Sequence, residues 1–184
     1  VETKEFQDFN ISDEKSLEAL ASEVDLFLSR LKIDYKKRNI PEEPFAFVKN
    51  NAGTYGLGVV AVNSGQEIID WTYKARKKMK AAKGGRQING LIIQEGIPSI
   101  HNSQNGVAEP VIYMIGSEFA GSFYRCHSER TFKESLNSPG ATYLPVPVEK
   151  LTMKNGQLNA YACSVLLGLL AISHEGKEMK VPNY

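Results

Sequence analysis

The chain has 184 residues, 42% of them hydrophobic and 23% charged, with a formal net charge of +1. That is enough for a real core and an ordinary globular composition, and a balance so close to neutral excludes a global pull toward nucleic acid or acidic membranes. Two cysteines and three histidines form neither a disulfide framework nor a metal-ligand spacing, which points to a reducing cytoplasm. The longest apolar run, "CSVLLGLLAI", is too short to span a bilayer.

The opening "VETKEFQDFN" has no methionine and reads as the middle of something, so residues before Val1 are expected in the native protein. Ser12 or Asp13 can cap a helix running to about residue 37, since Leu17, Leu20, Val24, Phe27, Leu28 and Leu31 recur at helical spacing. "NIPEEP" breaks it, because prolines punctuate. "FAFVK" then reads as a strand and "GVVAV" as a second one.

Ser64 is expected to cap a further helix, "GQEIIDWTYKARKKMKAA", whose basic end is a solvated face where cations suit the helix dipole. "KGGRQING" reads as a loop and "LIIQEGIP" as a buried strand with a polar end. "EPVIYMIG" and "FAGSFYRCH" form a hairpin turning at Gly116 and Ser117. Residues 128–147 read as irregular. A last helix over about 158–175 is so apolar that it should be packed on both sides. The order of elements is α+β, with mainly antiparallel sheets and helices packed against them.

The chemistry concentrates in "FVKNNAGTYGLGVVAV", residues 47–62. A Rossmann loop or a P-loop runs from strand into helix, whereas these glycines lie between strands and the GxxxxGK[ST] pattern is missing. Two readings stay open. Gly53, Gly56 and Gly58 can bring backbone N–H groups over phosphates, with Lys49 as a point charge beside them; or the segment is a hairpin turn with a snorkelling lysine.

Three further places carry the same two-sided choice. The strand end at Gln94, Glu95 and Ile97 can read a purine edge or simply be solvated. Glu109 and Arg125 can be a surface ion pair, or Arg125 can neutralise charge on a transferred phosphoryl group. Asn137 in "LNSPGA" can form a turn or offer an oxygen to Mg²⁺.

Together, "VKNNAGTYGLGV", "IIQEG", "AEPVIYMI", "FYRCHSE" and "LNSPGA" resemble the proteobacterial glutamate–cysteine ligases of the ATP-grasp, glutathione-synthetase-like type. The likeness runs from about residue 44 to 147 and continues weakly into the last helix. It implies an ATP-grasp-like fold, with residues 1–43 as a preceding helix and linker and residues 44–184 as the nucleotide-binding region of a longer chain.

The implied activity is ATP-dependent joining of the γ-carboxylate of glutamate to the amine of cysteine through an acyl phosphate, the first step of glutathione synthesis. The alternatives are a nucleotide-binding module without catalysis, or a paralogous ligase with another acceptor. On the resemblance, Lys49 holds phosphates and Gly53, Thr54, Tyr55, Gly56 and Gly58 form the lid. Gln94, Glu95 and Ile97 frame the adenine, Arg125 stabilises the acyl-phosphate charge, and Glu109 and Asn137 bind metal. ATP and Mg²⁺ are the implied cofactors, and small molecules the partners, with neither nucleic acid nor membrane; a homo-oligomer is compatible with this. One departure stands out: no E-x-N metal pair follows Gly140, and Glu129 or residues outside this chain would have to complete the shell.

Overall fold

The computed structural model describes residues 1–51, 58–72, 76, 77, 79 and 90–178. They divide into two compact units, one formed by Val1–Ile100 with Arg130–Pro139, the other by His101–Glu129 with Gly140–Tyr184.

The first unit contains β1 (Thr3–Gln7), α1 (Glu14–Lys37), β2 (Ala46–Asn50), β3 (Val59–Val62), α2 (Gln66–Ile69) and β4 (Gly90–Glu95). Its sheet has the order β1-β4-β2-β3, and every neighbouring pair is antiparallel. Asp13 is the N-cap of α1, its carboxylate accepting from the Lys15 amide at 3.2 Å. Glu14 in the first turn and Lys36 and Lys37 in the last complement the helix dipole. The apolar stripe of α1 buries Leu17, Leu20, Val24, Phe27, Leu28 and Leu31, in one cluster with Ala46 and Val48 of β2 and Leu91 and Ile93 of β4.

Residues 3–7, to which the sequence pattern assigns no element, form an edge strand on β4. One sequence expectation needs correction here. The helix after residue 64 is capped at Gly65 rather than Ser64, with no side-chain bond to the cap. The reason is close approach: a Cβ at Gly65 would overlap the Ala21 carbonyl of α1, and the Gly65 amide donates to Asp25 at 2.6 Å. Most of the expected basic stretch and the loop after it lie outside the described residues.

The second unit contains β5 (His101–Ser103), β6 (Gly106–Ile115), β7 (Glu118–His127), β8 (Thr142–Pro145), α3 (Val148–Thr152), β9 (Met153–Lys154), β10 (Gln157–Leu158) and α4 (Ala160–Glu178). The order β5-β6-β7-β8 is antiparallel throughout. The hairpin turns at Gly116 and Ser117 as expected, with Ile115 opposite Glu118.

The segment expected to be irregular contains β8, which pairs Tyr143 with Arg125 and Pro145 with Phe123. Tyr143 packs edge-on against Phe123, at 5.3 Å between ring centroids, and an edge strand tolerates the proline. Asn159 caps α4: its side-chain oxygen accepts from the amides of Tyr161 at 3.0 Å and Ala162 at 3.1 Å, while its side-chain nitrogen donates to the Leu151 carbonyl at 2.9 Å. Packing of α4 on both sides is not found among the described residues. Leu167, Leu170 and Ile172 are about two-thirds exposed, and Ala162 is its one buried residue among those described. The helix meets chiefly α3 and β10, too little surface to cover an apolar helix on all sides.

Candidate functional site

Strand alternation sends Ala46, Val48 and Asn50 of β2 toward the core and Phe47 and Lys49 to the face turned away from α1. Gln94 of β4 lies on that same face, in register with Phe47. The Lys49 ammonium donates to the Gln94 side-chain oxygen and sits 5.6 Å from the centre of the Phe47 ring. The Gln94 amide nitrogen donates on to Thr3 Oγ1 at 3.3 Å.

Burial pushes the Lys49 pKa below the usual lysine value. No carboxylate offsets that cost among the described residues, since its partners are a neutral amide and a ring.

The loop that follows starts from a closed base. Asn50 N donates to Gly58 O at 2.8 Å and Asn51 N to Gly90 O at 3.1 Å. Gly58 has φ of +67°, the left-handed conformation a glycine accepts freely. Gly53, Thr54, Tyr55 and Gly56 lie outside the described residues.

Glu95 is placed differently from its neighbour. Its side chain turns to the α1 side of the sheet, where Tyr35 donates to Oε1 at 2.8 Å and the Glu2 amide to Oε2 at 2.9 Å. Its own amide donates to Glu2 O at 2.9 Å. Burial, the hydrogen bond to Glu95 and the charges of Glu95 and Glu42 push the Tyr35 hydroxyl up to about 12. Beside Glu95 opens a cavity of about 770 Å³, walled by Phe45, Ile97, Pro98, Ile100 and Phe132. Lys133 reaches over its floor, 5.1 Å from the Phe45 ring centre. Ile97 is more than half exposed, at 55%. Tyr35, Phe47 and Phe132 were not foreseen as site residues. Tyr35 sits in a helix that the sequence pattern assigns wholly to packing, and no local motif marks it.

In the second unit, Glu109 and Arg125 are direct cross-strand partners, and Arg125 Nη1 donates to Glu109 Oε1 at 2.8 Å. The Arg125 side chain is 22% exposed and its Nε is buried with no acceptor among the described residues. Tyr113, Phe123 and Tyr143 form a row of rings on the same strand face, with centroid spacings of 5.8 Å and 5.3 Å. Asn137 is exposed and belongs to the first unit.

The predicted residues therefore fall into three groups. Lys49, Gln94 and the loop base share one face, Glu95 and Ile97 line the cavity edge, and Glu109 and Arg125 pair in the other unit. Among the described residues no three His, Cys, Asp or Glu cluster closely enough to hold a metal. Glu109, the one carboxylate of the expected metal pair, is engaged by a guanidinium. Glu109 lies in the second unit and Asn137 in the first.

These features define a mixed α/β protein, built of antiparallel sheets and helices, that carries a part-buried lysine on the side of one sheet turned away from α1 and an arginine–carboxylate pair on another. The glutamate-cysteine ligase family (GshA) matches residues 1–175, and the chain belongs to that family. It is also similar to a solved structure from Methylobacillus flagellatus KT described as a "Putative gamma-glutamylcysteine synthetase". The two are 29% identical with a TM-score of 0.77, over 97% of this chain and 44% of that one. The present chain thus spans less than half the length of that relative. Among curated proteins no relative matches.

Proposed function

We propose that this chain supplies the nucleotide-binding part of an ATP-dependent ligase of the ATP-grasp type, which joins the γ-carboxylate of glutamate to the amine of cysteine. Residues 44–184 are its nucleotide-binding region, and residues 1–43 add β1 and α1. The observation that carries this reading is Lys49, a half-buried ammonium without a carboxylate partner among the described residues, beside Gln94 and at the base of a glycine-rich loop.

In the reaction, a γ-carboxylate oxygen of glutamate attacks the terminal phosphorus of ATP and ADP leaves. The cysteine amine then attacks the acyl carbon, loses a proton and expels phosphate. Such chemistry asks for positioning and charge neutralisation more than for a protein nucleophile. Lys49 would hold the phosphates, under a lid formed by Gly53, Thr54, Tyr55, Gly56 and Gly58. The Gln94 side chain and the backbone around Glu95 and Ile97 would orient the purine. Arg125, whose Nε awaits an acceptor, would stabilise the acyl-phosphate charge. Mg²⁺ belongs to the proposal through the family alone, and no step is assigned to it.

Titration of the chain with ATP by calorimetry tests the reading. Lys49→Ala should weaken binding by about tenfold, the size of one charge-assisted contact. Equal affinity in both proteins would count against it. One observation favours a second reading, a nucleotide-binding module without catalysis: Glu109, the carboxylate of the expected metal pair, is engaged by Arg125. Production of γ-glutamylcysteine by the protein at the full length of its relatives separates the two.

A further inference from the structure

Consecutive residues of a strand point to opposite faces, so whatever fixes Glu95 also fixes Gln94. Glu95 is held on every side available to it. Its carboxylate, 14% exposed, takes one donor from Tyr35 on α1 and one from the Glu2 backbone on β1. Its amide bonds Glu2 O. The next residue is clamped as well: Gly96 N donates to Phe45 O at 2.8 Å, and a Cβ at Gly96 would overlap the Phe45 ring. No part of the Glu95 side chain turns to the Lys49 face, yet its position sets where Gln94 and the amide of Ile97 lie.

We infer that Glu95 and Tyr35 are positioning residues for the purine end of the nucleotide, acting from the back of the sheet by pinning the end of β4 to α1. This rests on the ATP-binding reading above and deepens it, because it divides the nucleotide between two supports. The phosphates depend on Lys49. The base depends on a strand end that Tyr35 and Glu95 hold still. The high Tyr35 pKa keeps its hydroxyl protonated, and so donating, across the physiological range.

The test compares two probes, ATP and inorganic tripolyphosphate, which shares the phosphates and lacks the base. Both are titrated calorimetrically into the wild-type chain and into Lys49→Ala, Tyr35→Phe, Glu95→Ala and Glu95→Gln. Tyr35→Phe and Glu95→Ala should each weaken ATP about five- to tenfold while leaving tripolyphosphate unchanged. Glu95→Gln should recover part of the loss, since its amide oxygen still accepts from Tyr35 while its amide nitrogen cannot accept from the Glu2 N–H.

Lys49→Ala should weaken both probes in parallel. Should Tyr35→Phe and Glu95→Ala weaken the two probes equally, their role is general folding and the inference is overturned. It is also overturned if they weaken neither while Lys49→Ala weakens both, which would leave the ATP reading intact. A wild-type chain that binds neither probe would remove that reading and the inference together.

Discussion

Each unit of this chain has a four-stranded antiparallel sheet, and each sheet carries a cation on a strand beside its hairpin or loop partner. The two cations are in opposite electrostatic states. Lys49 is half-buried, with a depressed pKa, a neutral amide and a ring for company. Arg125, its side chain 22% exposed, is already paired, with its partner directly across the strand pair at 2.8 Å. The first pays a desolvation cost that an incoming anion would relieve; the second has its cost offset within the fold. A lysine suits the first role as a compact point charge, and a guanidinium suits the second, since it can serve one carboxylate and keep another N–H in reserve.

The units also differ in what holds them together. The first has one contiguous core centred on α1, in which Phe27, Leu20 and Val24 are fully buried. Phe27→Ala should therefore give the largest loss, about 3–5 kcal/mol, read by urea unfolding with the single tryptophan, Trp71 of that unit, as reporter. A loss under 1 kcal/mol would mean that the core closes around the gap. The second unit buries fewer large side chains and leans on polar stitching. Asn159 caps α4 and ties it to the end of α3 with three bonds from one side chain. Asn159→Ala should cost about 2 kcal/mol, and Asn159→Asp less, because the cap acceptor survives. Far-UV circular dichroism during denaturation measures both; equal losses would reduce Asn159 to a donor alone.

The sharpest form of the comparison is a pair of substitutions with opposite signs. Arg125→Met removes a partner and strands the Glu109 carboxylate, a loss of about 1 kcal/mol given the partial exposure of both groups. Lys49→Met removes a desolvated cation that has no ionic partner among the described residues, and should leave stability unchanged or raise it by a few tenths of a kcal/mol. If both variants lose stability equally, the two cations are not in different states.

Most of the elements were legible because their periods are strong. The stripe from Leu17 to Leu31 can only be a helix face, and "EPVIYMIG" with "FAGSFYRCH" can only be a hairpin around Gly116. What stayed hidden depends on distant partners. Residues 3–7 are polar at every position but Phe6 and become a strand because β4 offers an edge. "ATYLP" is strand only beside β7, and its proline argues against a strand when read alone. For the candidate site, the sequence put Gln94 and Glu95 side by side as one recognition edge. Strand alternation divides them between faces, and the partner that explains Glu95, Tyr35, lies 60 positions away. Conversely, the exposed Leu167, Leu170 and Ile172 show that an apolar helix pattern reports a demand for burial, not its fulfilment within these residues.

The smallest expected effect is a pH dependence to which each group contributes less than one proton. Lys49 has a lower pKa folded than unfolded, so between that lowered value and 10.5 the unfolded chain binds more protons. Its share of stability therefore rises with pH across that window and is level above it. Tyr35 works the other way. Its pKa is raised from 10.0 to about 12, so its contribution is fully present below 10 and is lost as pH climbs toward 12. Urea midpoints taken from pH 8 to 11 should show the Lys49 rise in wild type and not in Lys49→Met, whereas Tyr35→Phe should remove the alkaline fall. Identical slopes in wild type and Lys49→Met would mean that Lys49 is not desolvated. The same deprotonation must weaken any hold on a triphosphate, so ATP affinity should decline over the interval in which the Lys49 share of stability increases, and only an ammonium that is costly to the fold and useful to a ligand gives those two curves opposite signs.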